Sequence, residues 1–208
     1  MTIINKLACS LGRRDEVPNQ ELARQILKSK NKKAVSELVE NLANQDQHIQ
    51  SDCIKVLYEI GADQPDLIAG YDKDFLALLD SKHNRLVWGA MTALDYIASI
   101  NPGRIHKMLG KIMMVSDQGS VITKDHAVGI LVKLAADKRF TKDALALLLD
   151  QFRSCATNQL PMYAENALAA IPDGAKGGFI KVLTARLRDI EKESKRKRVE
   201  KVIAKLGK

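Results

Sequence analysis

Three stretches of sequence decide the fold: HIQSDCIKVLYEIGAD at residues 48–63, NRLVWGAMTALDYIAS at 84–99 and ITKDHAVGILVKLAAD at 122–137. In each stretch, apolar or small residues recur at spacings of four, four and three, which places them on one face of a helix. The middle residue of this stripe is small, and successive middle residues lie 37 positions apart: Cys53, Ala90 and Ala127. A small residue there lets a neighbouring helix approach closely. The pattern therefore predicts a repeating helical unit.

Each repeat contains a second apolar segment, which makes the unit a pair of helices, helix A followed by helix B. The A segments occupy residues 34–42, 75–81, 106–115, 144–152 and 179–187. Weaker copies of the B stripe centre on Ala167 and Val199, 40 and 32 residues further along. Because one pair cannot bury its apolar faces alone, neighbouring pairs must stack. We expect an all-α, right-handed α-α superhelix of about five helix pairs.

Helix B resembles the repeat of the HEAT and armadillo-like families. Its pattern, D-x-x-[IV]-x-x-x-small-x-x-x-L-x-x-[IL] followed by Gly or Ala, is clearest at residues 46–62, and the resemblance covers residues 31–208. These families usually carry an arginine near the start of helix B. Arg85 comes closest to it, and the other units have Gln50, Lys124 or Met162. The resemblance implies an α-solenoid and leaves the function open, since such folds serve as scaffolds and also as nucleic-acid enzymes.

The two ends of the chain depart from the repeat. Residues 1–30 fall outside the period, and a helix carrying Leu22, Ile26 and Leu27 is expected to cap the apolar edge of the array at residues 31–208. Residues 1–175 hold 21 Lys/Arg and 21 Asp/Glu, whereas residues 176–208 hold 12 and 4. The net charge of +8 therefore lies in the last 33 residues, which we expect to end in a basic capping helix.

Composition argues against several classes of protein. The chain has no run of about 20 apolar residues that could span a membrane, and its three cysteines do not suggest a disulfide framework. The four histidines form no i, i+4 pair and no carboxylate–histidine cluster, and Asp15 and Glu16 are interpreted as helix-end charges. Residues 174–178 lack the spacing of a phosphate-binding loop and are interpreted as a flexible linker. We expect a cytoplasmic protein with no membrane partner, metal, cofactor or catalytic residues.

The solvent-facing positions of the B helices are the candidate binding residues on the concave face of such a stack. They are Lys55, Arg85, Trp88, Tyr96, Asp125, His126 and Lys133. Trp88 is the only tryptophan, and Arg85 and Tyr96 lie on the same helix. Since Trp, Tyr and Arg dominate binding hot spots, we hypothesise that these three residues form a binding patch. In the alternative interpretation, Trp88 packs between adjacent B helices.

The sequence thus predicts a non-catalytic scaffold that binds a macromolecular partner, a protein, on the concave face. A first alternative is a nucleic-acid-binding module that uses the basic run Lys195, Arg196, Lys197 and Arg198. That run also fits the solvated face of a terminal helix, because three glutamates flank it. A second alternative is an enzyme like the DNA glycosylases for alkylated bases, which resemble HEAT stacks. Those enzymes need several aromatics and a nearby carboxylate, whereas Thr92 lies one turn after Trp88.

Overall fold

The computed structural model describes residues 2–208, and the prediction of an all-α fold is confirmed for them. The α-helices are α1 Val17–Ser29, α2 Lys32–Glu40, α3 Gln47–Asp63, α4 Asp72–Leu78, α5 Asn84–Ile97, α6 Pro102–Lys107, α7 Leu109–Gln118, α8 Val121–Ala136, α9 Thr141–Ser154, α10 Leu160–Ala167, α11 Asp173–Arg186 and α12 Glu193–Leu206. Short 3₁₀ helices are Ile3–Lys6, Asn41–Ala43, Pro65–Leu67, Ala69–Tyr71, Leu168–Ala170 and Leu187–Asp189. None of the helices within residues 2–208 is long and apolar enough to cross a membrane.

The B helices are α3, α5, α8, α10 and α12, and the predicted centre of each B stripe is buried. Cys53, Ala90, Ala127, Ala167 and Val199 all have an exposed fraction of 0%. The last stripe differs in detail, because Val202 is buried in α12 whereas Ile203, which the spacing of four after Val199 places in the stripe, is half-buried. The small residue at each centre therefore lies in the core, as close helix packing requires.

The chain divides into two units, the first ending at His126 and the second running from Ala127 to Lys208. In the first unit α3 packs between α1 and α5, and each of the B helices α3 and α5 also packs against the A helix before it. On α1, the predicted core residues Leu22, Ile26 and Leu27 are buried. The result is a layer of B helices whose sides carry the candidate residues.

The second unit repeats this arrangement. Helix α9 packs against α11, and α10 packs against α12. The rings of Phe152 and Phe179 meet edge to face, with centroids 5.3 Å apart. These two phenylalanines join consecutive A helices within the core.

Helix starts follow the local sequence. The side chain of Asn31 accepts a hydrogen bond from the backbone N–H of Ala34 at 3.1 Å, and that of Asp46 accepts one from His48 at 2.8 Å. Both contacts satisfy backbone donors that have no partner inside the helix. Asp46 is also the first residue of the repeat pattern, so this position of the pattern has a capping role in that unit.

The interpretation of residues 174–178 as a flexible linker is wrong, because they form the first turns of α11. Pro172 takes the extended conformation that precedes a helix, and Asp173 in the first turn pairs with Lys176 at 2.8 Å. Glycine disfavours a helix, but Phe179 and Leu183 are buried one and two turns later. Tertiary packing therefore outweighs the local propensity of the glycines.

Gly89 allows α3 and α5 to approach closely, and a Gly89→Ala variant tests this. A Cβ at position 89 would lie 2.6 Å from Cγ1 of Ile54, a fully buried branched side chain, so the two helices or this side chain would have to shift. We expect the free energy of unfolding to fall by about 1–3 kcal/mol in urea titrations. In the control Gly110→Ala on α7, no atom lies within 4 Å of the new Cβ. There the better helix propensity should raise stability by about 0.5–1 kcal/mol, and equal losses in both variants would contradict the close contact.

Candidate binding site

Trp88 lies on α5, half-buried between a neighbouring helix and an arginine. Its ring is 5.7 Å from the ring of Tyr58 on α3, with an interplanar angle of 48°. The guanidinium carbon of Arg85 lies 5.7 Å from the Trp88 ring centroid, within the range of a cation–π contact. Trp88 therefore packs against an adjacent B helix, as in the alternative interpretation, and also remains partly exposed. We call Tyr58, Arg85 and Trp88 the aromatic patch.

Lys55 is not solvent-facing as predicted, because only 7% of its side chain is exposed. Its ammonium lies 2.8 Å from Glu16 and 2.5 Å from Glu59, and 4.9 Å from the centroid of the Tyr58 ring. Burial disfavours the charged form, but hydrogen bonds to the two glutamates outweigh it and raise the pKa of Lys55 above its usual value. Lys55 is therefore a buried, fully charged support for the ring of Tyr58.

Glu16, at the start of α1, connects the two B helices. One carboxylate oxygen pairs with Lys55 of α3, and the other accepts a hydrogen bond from Arg85 of α5 at 3.0 Å. The hydrogen bond from Lys55 lowers the pKa of Glu16 below its usual value. The interpretation of Glu16 as a helix-end charge missed this role, since its partners lie far away in sequence. We call Glu16, Lys55 and Arg85 the Glu16 bridge.

A carboxylate–histidine pair, which no spacing in the sequence indicated, joins α5 to α8. Oδ2 of Asp95 on α5 is 2.8 Å from Nδ1 of His126 on α8. The ring of Tyr96 meets the His126 ring at an angle of 66°, with centroids 6.2 Å apart. Asp125 is the half-buried neighbour of His126 in sequence. The contact with Asp95 holds the imidazole in one orientation beside Tyr96.

Six of the seven predicted B-helix residues thus belong to the first unit. Four of them belong to the aromatic patch, the Glu16 bridge or the Asp95–His126 pair, Tyr96 contacts the His126 ring, and Asp125 is next to His126 in sequence. Lys133, the seventh, belongs to the second unit and is half-buried on α8. Within the described part of the chain, no group of three or more His, Cys, Asp or Glu side chains could hold a metal ion. The cysteine residues 9, 53 and 155 are free thiols.

The basic run of α12 is engaged in contacts with the protein itself. Its four side chains contact the following groups: Lys195 the Asn158 amide, Arg196 the Ile190 carbonyl, Lys197 the Glu193 carboxylate and Arg198 the Glu165 carboxylate. Arg198 uses two nitrogens, at 2.8 and 2.5 Å, to join α12 to α10. Each side chain of the run therefore has a contact within the second unit, although Lys197 and Arg198 remain exposed.

Known structures share this fold, although no family model matches the chain and no curated protein matches it. An engineered protein solved by a structural genomics consortium is 21% identical, with a TM-score of 0.63 over 100% of this chain and 97% of that one. A computationally designed armadillo repeat protein for modular peptide recognition is 19% identical, with a TM-score of 0.65 over 98% of both chains. A designed armadillo repeat protein in complex with the peptide (KR)4 is 18% identical, with a TM-score of 0.67 over 90% of this chain and 86% of that one. The chain has an armadillo-type α-solenoid fold, an α-α superhelix.

Proposed function

We propose that this chain is a non-catalytic scaffold that binds an extended peptide segment of a partner protein on the B helices of its first unit. The observation that carries the proposal is the partly exposed Trp88, held between Tyr58 and Arg85. Tryptophan, tyrosine and arginine are the residues that dominate binding hot spots. The designed armadillo repeat proteins of the same fold, which are described as peptide binders, support an extended peptide as the ligand.

The aromatic patch is already ordered without a partner. Tyr58 is only 9% exposed and supports one side of Trp88, and Lys55 lies against Tyr58. A rigid aromatic side chain loses little conformational entropy on binding, so more of its contact energy contributes to affinity. The patch therefore suits a peptide side chain that packs against Trp88.

A selection from a displayed library of short random peptides tests the proposal. The full chain is the target, and the selected pool is then measured against wild type and against a Trp88→Ala variant that circular dichroism shows to be folded. We expect the pool to bind wild type and to lose most of its binding to Trp88→Ala. A library that yields no binder, or a pool that binds both proteins equally, would contradict the proposal.

The two alternatives stay predictions. For nucleic-acid binding through α12, the structure adds only that each side chain of the basic run contacts a protein group. For the glycosylase alternative, the hydroxyl of Thr92, one turn after Trp88, donates to the Trp88 carbonyl at 2.8 Å. Neither arrangement adds support to these functions.

A further inference from the structure

The Glu16 bridge pairs a carboxylate at the start of α1 with cations on two B helices. Glu16 precedes α1, whereas Lys55 and Arg85 project from α3 and α5. The Glu16 side chain is 46% exposed, but the Lys55 side chain beneath it is 7% exposed and keeps a second partner in Glu59. The two cations therefore form a binding site for a carboxylate, and the Glu16 carboxylate that occupies it lies at the surface.

Glu16 accepts a hydrogen bond from only one of the nitrogens of Arg85. Its terminal nitrogen donates to Glu16, but its Nε is buried and has no hydrogen-bond partner. A guanidinium binds a carboxylate best with two parallel hydrogen bonds, and buried donors are normally paired. The site can thus accept a carboxylate that bonds Arg85 more completely than Glu16 does.

A cavity of about 410 Å³ opens beside the bridge in the first unit. Its lining includes Arg13, Arg14, Glu16, His48, Asp52 and Arg85. Arg13 is paired with Asp15 at 2.8 Å, whereas the exposed Arg14 has no ion pair with any residue of the described chain. The cavity offers space for a peptide side chain next to Arg85 and a further cation to attract it.

We propose that the partner peptide carries an acidic side chain whose carboxylate displaces Glu16 and pairs with Lys55 and Arg85. This inference rests on the proposed function, because the same peptide would also cover Trp88, which Arg85 contacts. An acidic peptide fits better than a nucleic acid, since a group of the size of the Glu16 carboxylate already reaches the buried Lys55. Glu16 is then an internal competitor that lowers the affinity for acidic segments.

Two substitutions of the same ion pair separate this competition from a structural effect. Glu16→Gln removes the competitor, whereas Arg85→Gln removes part of the site, and both lose the Glu16–Arg85 contact. If the contact mattered only for structure, both variants would change binding in the same direction. For a peptide from the selected pool, we expect Glu16→Gln to tighten binding about two- to fivefold, the range of exposed ion pairs. We expect Arg85→Gln to weaken it roughly tenfold or more, because the variant loses a charge-assisted hydrogen bond to the peptide carboxylate.

The probe peptide is compared with a counterpart in which its Asp and Glu become Asn and Gln. Wild type should bind the neutral counterpart more weakly than the acidic peptide. The Glu16→Gln variant should bind the neutral counterpart no better than wild type does. All variants are checked for cooperative unfolding. If Arg85→Gln does not fold, Arg85→Lys replaces it and should weaken binding, because lysine keeps the charge but loses the paired hydrogen bonds.

The inference is overturned if the selected pool is not enriched in Asp and Glu, or if Glu16→Gln weakens binding as the Arg85 variant does. It is also overturned if inorganic phosphate or a single-stranded oligonucleotide competes at lower concentration than the acidic peptide. If one of these results is obtained but the selected pool still binds Trp88→Ala less than wild type, the proposed peptide-binding function is retained. If the pool binds Trp88→Ala and wild type equally, both the peptide-binding function and the inference about Glu16 are contradicted.

Discussion

Replacing Phe152 with alanine is expected to lower the free energy of unfolding by about 3–5 kcal/mol, the usual loss for a buried phenylalanine. Phe152 lies on α9 with an exposed fraction of 0%, and its ring meets that of Phe179 on α11 edge to face at 5.3 Å. The variant loses the buried area, leaves a cavity and removes the contact between the two rings. The second unit, where the repeat is least regular in sequence, should show this loss directly.

Urea unfolding followed by circular dichroism measures the effect. Leu149→Ala is the matched control, because Leu149 lies on the same helix but is only half-buried. We expect this control to lose clearly less stability than Phe152→Ala. A loss of under about 1 kcal/mol for Phe152→Ala would mean that α9 and α11 do not pack as described, since small losses are typical of surface positions.

The Trp88→Ala substitution is expected to weaken binding of a selected peptide by roughly 30-fold, or about 2 kcal/mol, the threshold of a hot-spot residue. Trp88 supplies the largest partly exposed apolar surface of the patch, and its removal also leaves Arg85 without its aromatic neighbour. Affinity is measured by fluorescence anisotropy of labelled peptide. The loss should appear mainly in the dissociation rate, as for most interface substitutions.

The matched control for this prediction is Met114→Ala. Met114 is a large apolar residue that is 56% exposed, and it lies on the A helix α7 rather than on a B helix. Its truncation should leave the affinity unchanged. If Met114→Ala and Trp88→Ala weaken binding equally, the peptide does not recognise the B-helix face.

The fold could be predicted from the sequence because its signal is local. The spacings of four, four and three place Leu57, Leu94 and Leu131 in the same position of successive B helices, and all three are fully buried. A stripe of this kind needs only helical geometry to interpret. Local propensity misled the prediction at residues 174–178, where the packing of Phe179 and Leu183 keeps glycines helical.

The site could be predicted only in part, because its contacts join distant residues. The register of the B helices led to Arg85, Trp88 and Tyr96, but not to the partners that fix them. Glu16 reaches Arg85 across 69 positions, and Asp95 reaches His126 across 31. A short sequence motif cannot indicate contacts between residues so far apart. The burial of Lys55 likewise depends on contact with Glu16, which precedes α1.

Quenching of Trp88 fluorescence by acrylamide tests whether this residue contacts the bound peptide. Trp88 is the only tryptophan of the chain, so the emission reports one ring when the peptide contains no tryptophan. We expect acrylamide to quench the ring in the free protein and saturating peptide to lower the quenching constant several-fold. A quenching constant that stays the same when the peptide saturates the protein would contradict this contact.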